Sequence, residues 1–467
     1  MSYQANEIPA GTAFRTLRGG RLGRVSQLLG AGGQGAVYAA DLGGAKFAVK
    51  WFHPSYAEVD EELRPRLLRA IERGAPNDAF LWPIDLVEIA GQSSFGYLMR
   101  LRDPDYAGMR QLIAPPPARL SPSLAVRANI CLRIAESFLE LHASGFCYQD
   151  VNLGNVFFHP ASGEILICDN DNVDIDGVPA SVYGTRKFMA PEIVRRETMP
   201  SSRSDLFSMA VLFFYVLHAW HPLDGRREAA AAVLDAATET DLYGVHPRFL
   251  FDPLDNSNGP VAGMHEPIVA RWQALPPALR ALFVRSFTAG LHHPGRRVQE
   301  AEWRPAFASL LAGSFGCTAC GFEHAVEVGV GAPPVFPARC VACQAPLTPP
   351  PLLVIGRSAV CLTPGRTIPL HLLSPAARAD AGSAGVVVEA HPTKPGVYGL
   401  RNRTRDTWRM TLPESSAIAV APGSAMRLVD GAVVEFAGAA GTIVAANQVG
   451  AAARKPPAPK RQMELVA

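Results

Sequence analysis

The chain has 467 residues, 48% of them hydrophobic and 18% charged, with a formal net charge of +2. That length exceeds what one core usually supports, so roughly two to four domains are expected, and the balanced charge supplies no global field for nucleic acid. The longest apolar run, Met209–Leu217 with its neighbours, is too short to span a bilayer, and the N-terminus has no charged-then-apolar signal pattern, so a cytoplasmic protein with no membrane partner is expected.

In chain order, the first informative string is LGAGGQGAVY at Leu29–Tyr38. Glycine at Gly30, Gly32 and Gly35 puts no Cβ between the backbone and a phosphate group. Val37 and Ala48, on the flanking strand patterns, are placed to sandwich an adenine ring, and Lys50, which ends the apolar strand FAVK, can project its ammonium toward the phosphates of ATP. APPPARLSPS at Ala114–Ser123 punctuates the chain before a helical pattern over Leu124–Ala143. YQDVNLGN at Tyr148–Asn155, a short hairpin pattern over Val156–Cys168 and ICDND at Ile167–Asp171 follow. The hairpin would bring Asn155 and Asp169 together as hard oxygen ligands for Mg²⁺ or Mn²⁺, and Asp150 offers a base that can orient an incoming hydroxyl. MAPE at Met189–Glu192 and SDLFSMAV at Ser204–Val211 come next, and between Gly225 and Trp303 the pattern is helical and loop-like with no chemistry of its own.

These five signals in this order resemble the eukaryotic-like protein kinases over about residues 22–312. The wording of YQDVNLGNVFF, ICDNDNV and GTRKFMAPEIV is similar to bacterial serine/threonine kinases found with tellurite-resistance-type von Willebrand A proteins and protein phosphatases. The resemblance implies an α+β bilobal kinase fold, with an N-lobe over about 22–100 and a C-lobe over about 101–312. It implies ATP- and metal-dependent phosphorylation of serine or threonine in a protein substrate, with a von Willebrand A-type protein and a phosphatase as partners. Residue by residue, it places Gly30, Gly32 and Gly35 in the glycine-rich loop, Lys50 as the strand-three lysine, Asp150 as the catalytic aspartate, and Asn155 and Asp169 as the metal ligands. Glu192 matches the glutamate of APE, Asp205 the aspartate that holds the catalytic loop, and Arg297 the late arginine paired with that glutamate. The glutamate expected to pair with Lys50 lies among Glu58, Glu61, Glu62 and Glu72. Pro65 suits the first turn of a helix, and Glu62, on its lead-in, is the choice.

Departures from the kinase pattern carry their own expectations. Tyr148-Gln149-Asp150 lacks the arginine before the base, so a phosphate on Ser181, Tyr183 or Thr185 loses its usual partner, and ordering of that loop by packing is expected instead. Asn152 stands where these kinases usually carry lysine, and Asp169-Asn170-Asp171 replaces DFG, which leaves Asp171 open as a second metal ligand. Those substitutions motivate an alternative, a nucleotide-binding pseudokinase scaffold; retention of Lys50, Asp150, Asn155 and Asp169 favours the enzyme.

Beyond the kinase-like region, Cys317 and Cys320 in CTAC and Cys340 and Cys343 in CVAC, with nineteen residues between the pairs, fit a structural Zn²⁺ ribbon over 313–348. Cys131, Cys147, Cys168 and Cys361 lack ligand spacing and read as small buried hydrophobes. PLTPPPLL is a stiff linker, and from Leu352 short alternating strands with Gly, Pro and Asp turns (LLVI, VVVEA, YGLRN, WRMTL, AIAV, AVVEF, TIVA) read as a β-sandwich over 352–446. LLVIGR, LRNRTRDTW and the segment Gly423–Phe436 are similar to a forkhead-associated domain, in which Arg357 fits the phosphate-reading arginine. His391 without its serine, and a loose match at Asn402, leave open both a phosphothreonine reader and a structural or protein-docking sandwich. The segment 447–467 reads as a disordered tail.

Overall fold

The computed structural model describes residues 8–177, 183–328, 334–368, 385–394, 397–413, 415–436 and 439–445. Ser181 and the expected tail lie outside the described residues. The chain divides into two compact units, Met1–Trp272 with Leu279–Ala308, and Gln273–Ala278 with Ser309–Ala467.

The first unit opens with an antiparallel barrel of β1 (Ala13–Thr16), β2 (Leu22–Ala31), β3 (Gly35–Leu42), β4 (Ala45–Phe52), β5 (Pro83–Glu88) and β6 (Gly96–Arg100). Pairing of Arg15 and Thr16 with Glu88 and Val87 closes it. Phe14, Val25, Tyr38, Val49, Trp51 and Leu98 fill one core. The barrel thus includes a strand ahead of Leu22, where the sequence pattern begins; four residues with Phe14 as the large inward side chain carry too little period to read. Two glycines let β4 be flanked closely on both sides. A Cβ on Gly35 would stand 2.1 Å from the Trp51 carbonyl oxygen, and one on Gly96 would stand 2.3 Å from that of Lys50. Between β4 and β5 lie α1 (Pro54–Val59) and α2 (Leu63–Arg73), with Pro65 in the first turn of α2 and Leu63, Arg66, Leu67 and Ala70 buried.

Helix α3 (Leu124–Ala143) starts where Ser123 Oγ accepts the Val126 amide at 3.3 Å. It leads to β8 (Phe146–Cys147), preceded by β7 (Ala107–Gly108), and then to the hairpin of β9 (Val156–Phe158) and β10 (Ile165–Ile167). β7 pairs with β9, and β8 with β11 (Asp174–Ile175). After α4 (Pro191–Val194) comes α5 (Ser202–His218), apolar nearly all round and buried from Ser204 to His218, as such a helix must be. Phe213 and Phe214 pack edge-on against Trp303, Phe307, Phe283 and Phe287. Among the described residues no helix is long and apolar enough to cross a membrane.

In the second unit, Ser314–Gly316 pairs with Glu323–Ala325 beside the cysteines. Two antiparallel sheets follow. One runs in the order Ser358–Cys361, Leu352–Ile355, Ala439–Val444, Val433–Phe436, Trp408–Thr411, Ala417–Val420; the other runs Thr367–Ile368, Val386–Ala390, Tyr398–Asn402, Ala425–Arg427. All seven strands expected from the alternation are present. Phe315, Val326 and Val328 from the cysteine-bearing segment share one apolar core with Leu352, Val388, Trp408 and Ile443 of the sheets. Arg366 ties the same parts together by donating to the carbonyls of Leu311 and Ala312, at 3.0 Å each, and of Ser314, at 2.6 Å.

Candidate active site

Strand β4 carries Lys50 into the space between the barrel and the helical part, where its ammonium meets a cluster of acceptors. It donates to both oxygens of Asp171, at 2.8 and 2.9 Å, to Asp169 Oδ1, and to Gln34 Oε1 at 2.9 Å. Burial works against the charge on Lys50, yet Asp171 and Asp169 hold its pKa above the ordinary lysine value. Asp171 is fully buried; burial alone would raise its carboxyl, but Lys50 holds it below the usual carboxylate range. Asp169 goes the other way, pushed up to about 6 by burial and by the neighbouring Asp171 charge. The backbone at Asp169 is left-handed, with φ 58° and ψ 44°, so the chain turns sharply as it leaves β10.

The hairpin of β9 and β10 sets Asn155 and Asp169 at one end, because Ile167 pairs with Val156 and the Cys168 amide donates to the Asn155 carbonyl at 2.9 Å. Asn155 Nδ2 donates to the Asp150 carbonyl at 3.0 Å and lies 3.5 Å from Asp150 Oδ2. The other oxygen of Asp150 accepts both the amide and the hydroxyl of Thr185, each at 2.8 Å. The loop carrying Asp150 is strained at Gln149, where φ is 72°, and is anchored from below. Asp205 on α5 accepts the Tyr148 amide at 2.6 Å and the Gln149 amide at 3.0 Å. His142 links Asp205, at 3.2 Å, to Glu300. Asn152, in place of the lysine, is buried in the loop itself, donating to the Asp150 carbonyl at 3.0 Å and accepting the Gly154 amide at 2.7 Å. Asn170, in place of the aromatic, is fully buried and donates to the Leu81 and Ile167 carbonyls, at 2.9 and 3.1 Å.

Above the lysine, the turn between β2 and β3 leaves room. A Cβ on Gly30, Gly32 or Gly33 would meet no atom within 4 Å, whereas Gly35 is required by strand packing. The Gly32 amide closes the turn on the Gly35 carbonyl at 2.8 Å, and the open space over these glycines fits a phosphate group. Val37 and Ala48 belong to one apolar cluster with Met99, Leu101 and Leu166, an environment suited to a flat heterocycle. Asp169 and Asn155, with oxygen donors and with Asp169 partly open, fit a hard divalent cation.

Glu62 does not join this site. It sits at the start of α2, 62% exposed in its side chain, and its nearest cation is Arg69 at 3.5 Å. Glu58, Glu61 and Glu72 are exposed as well. The inward position on α2 is taken by Arg66, whose Nε donates to the Asp171 carbonyl at 2.7 Å and whose other end pairs with Asp60 at 2.7 Å. The carboxylate facing Lys50 therefore comes from Asp171, and with both oxygens on Lys50 and Oδ1 also receiving the Tyr97 hydroxyl at 3.1 Å, Asp171 is not placed as an open metal ligand. The DND wording was the only sequence signal for it.

In the second unit, the sulfurs of Cys317, Cys320, Cys340 and Cys343 all lie within 4.8 Å of one another, with Cys317 to Cys343 at 3.8 Å and Cys320 to Cys340 at 3.7 Å. Thiolates about 2.3 Å from a tetrahedral zinc ion would be about 3.8 Å apart, so the cluster fits that ion. Each pair is wrapped by a tight turn, closed by Gly321 N to Cys317 O at 2.8 Å and by Gln344 N to Cys340 O at 3.0 Å. His324 Nε2 lies 3.3 Å from Cys340 Sγ. Arg357 is exposed on the turn after Leu352–Ile355. Asn402, by contrast, is fully buried and holds the following loop through Asp406, Val420 and Thr404.

A protein kinase domain model matches residues 99–257. Among curated proteins, the chain is 27% identical over 312 residues to CBL-interacting protein kinase 4 of Oryza sativa subsp. japonica, covering 58% of this chain and 67% of that one. It is 26% identical over 222 residues to serine/threonine-protein kinase pkn2 of Myxococcus xanthus, covering 43% and 25%. The chain thus spans between 11% and 67% of the length of the curated relatives it matches. A crystal structure of the Mycobacterium tuberculosis PknI kinase domain, carrying a single substitution, aligns with a TM-score of 0.44 and 19% identity over 65% of this chain and 99% of that one. Residues 99–257 thus match the protein kinase domain, and both of these curated relatives are protein kinases by name.

Proposed function

We propose that the chain transfers the γ-phosphate of ATP to serine or threonine hydroxyls of a protein substrate. The observation that carries this reading is the gathering of four chemical groups: Lys50 on Asp169, Asp169 and Asn155 at one hairpin end, and Asn155 on Asp150. In this reading the open space over Gly30, Gly32 and Gly33 receives the phosphates, and Val37 and Ala48 hold the adenine. Lys50 draws the α/β-phosphates into place. Asn155 and Asp169 would hold magnesium or manganese, whose charge offsets that of the phosphate oxygens during transfer. Asp150 orients the substrate hydroxyl and takes its proton.

The second unit is read as a docking module braced by zinc on Cys317, Cys320, Cys340 and Cys343. Its two-sheet architecture supports the forkhead-associated likeness, while the structural work of Asn402 favours protein docking over phosphothreonine reading. The motif likeness adds a von Willebrand A-type protein and a phosphatase as partners, in a cytoplasmic setting.

The test is label transfer from γ-labelled ATP by the purified chain, to itself and to a generic protein acceptor, with Mg²⁺ or Mn²⁺, beside Asp169→Ala. Incorporation that vanishes in the variant supports the kinase and the metal role of Asp169. ATP binding without transfer by the parent chain would favour the pseudokinase scaffold.

A further inference from the structure

We propose that Asp171 is the positioning residue for Lys50, doing from the metal-bearing segment what a helix carboxylate does in most protein kinases. The inference rests on the kinase reading and deepens it. In those enzymes an ion pair between the strand-three lysine and a helix glutamate must form before the lysine can reach the phosphates. Here the glutamates available between Trp51 and Pro76 all face solvent, and Arg66 occupies the inward position of α2. Both oxygens of Asp171 contact Lys50, and the Tyr97 hydroxyl fixes one of them at 3.1 Å.

Helix α2 contributes from the other side. Arg66 holds the Asp171 carbonyl at 2.7 Å, the buried Asp60 holds Arg66, and Arg69 pairs with Asp174 at 3.0 Å. The helix therefore clamps the backbone that carries Asp171 and does not supply a charge to Lys50 itself. One three-residue segment then serves two tasks: Asp169 would be left to hold the metal, and Asp171 keeps the lysine aimed without it. Asn170 between them, bonded to Leu81 and Ile167, fixes the spacing.

The test is a double-mutant cycle on the full chain with Asp171→Asn and Lys50→Gln, reading kcat and KM for ATP in phosphate transfer. Asp171→Asn is expected to lower kcat/KM about a hundredfold, the scale for losing one preorganised electrostatic group, while Glu62→Gln stays within about twofold. In the Lys50→Gln background, Asp171→Asn should cost no more than about threefold further, because its effect runs through the lysine. Losses that multiply, or a Glu62→Gln loss matching that of Asp171→Asn, would overturn the proposal. Should Asp171→Asn not fold, Tyr97→Phe carries the same cycle, with a smaller loss that also disappears without Lys50. A parent chain that transfers no phosphate counts against the kinase reading alone. In that case acetylation of Lys50 by acetic anhydride, read by peptide mass spectrometry, decides the pairing: labelling about tenfold faster in Asp171→Asn than in the parent supports it, and equal labelling refutes it.

Discussion

Glu192 and Arg297, far apart in sequence, form a buried two-pronged ion pair, with Nη1 to Oε1 at 2.8 Å and Nη2 to Oε2 at 2.7 Å. Arg297 also donates to the Gly290 and Arg203 carbonyls, so the guanidinium joins α4, the start of α5 and the turn before residue 297. Removing one partner leaves an uncompensated buried charge, and Arg297→Ala is expected to destabilise the first unit by about 3–5 kcal/mol in urea denaturation. Arg297→Lys should recover only part of that, because an ammonium cannot engage both oxygens with the same geometry. Replacing both partners together by apolar residues of similar size should cost less than Arg297→Ala alone. A double replacement as damaging as the single one would place the energy in packing and not in the pair.

Asp150 meets Thr185 through one carboxylate oxygen, and its other oxygen lies near Asn155. Asp150→Ala is expected to abolish transfer while leaving ATP binding, followed with a fluorescent nucleotide, close to that of the parent; normal turnover by this variant would remove Asp150 as the base. Thr185→Ala deletes a single hydrogen bond to that carboxylate and should cost about tenfold in kcat, with Thr185→Ser restoring most of it. A Thr185→Ser variant as slow as Thr185→Ala would shift the role from the hydroxyl to the methyl group.

How much of this was legible in the sequence depends on whether a function is carried by local spacing or by tertiary approach. Gly30 and Lys50 stand on strands joined through β3, and Asp150, Asn155 and Asp169 stand on one loop and the hairpin after it, so within each group the order of the strings survives as geometry. The seven sandwich strands were readable because their alternation repeats between turn residues. Glu62 failed for a physical reason: a helix face is set by what packs inward, and Leu63, Arg66, Leu67 and Ala70 turn the glutamates of that region outward. Asp171 as the partner of Lys50 is a direct contact between residues far apart in sequence, with Tyr97 on another strand bonded to the same carboxylate, and no local period announces it. Likewise nothing in the spacing of CTAC and CVAC showed that Phe315, Val326 and Val328 would join the sandwich core.

That shared core sets the expectation for metal removal. The purified chain should bind one zinc ion per molecule, and a chelator, or Cys317→Ser with Cys340→Ser, should loosen the sandwich as well as the cysteine turns. Limited proteolysis checks this: cleavage after removal of the metal should spread beyond residues 313–348 into the strands around Trp408. Cuts confined to the cysteine segment would mean that the sandwich is stable without its neighbour. A chain carrying no zinc after purification under reducing conditions would refute the metal assignment.

The loop that carries Asp150 also has a pH dependence, through the histidine beneath it. Burial disfavours the charged form of His142, but hydrogen bonds to Asp205 and Glu300 outweigh it and raise its pKa from 6.5 to about 9. A group whose folded pKa is raised contributes its full stabilisation below the unfolded value and loses it as pH climbs through the folded one. The first unit should therefore lose stability between about pH 6.5 and 9, on the order of 3 kcal/mol for a shift of this size. The group lies on the anchor that holds the Tyr148 and Gln149 amides, so transfer by the folded chain should decline as pH climbs through about 9, where His142 gives up its proton. Urea denaturation across that range, for the parent and for His142→Gln, isolates the contribution as a difference. The two stability curves should converge as pH rises, whereas a constant offset between them would show that His142 acts by packing against Phe138 and not by its charge.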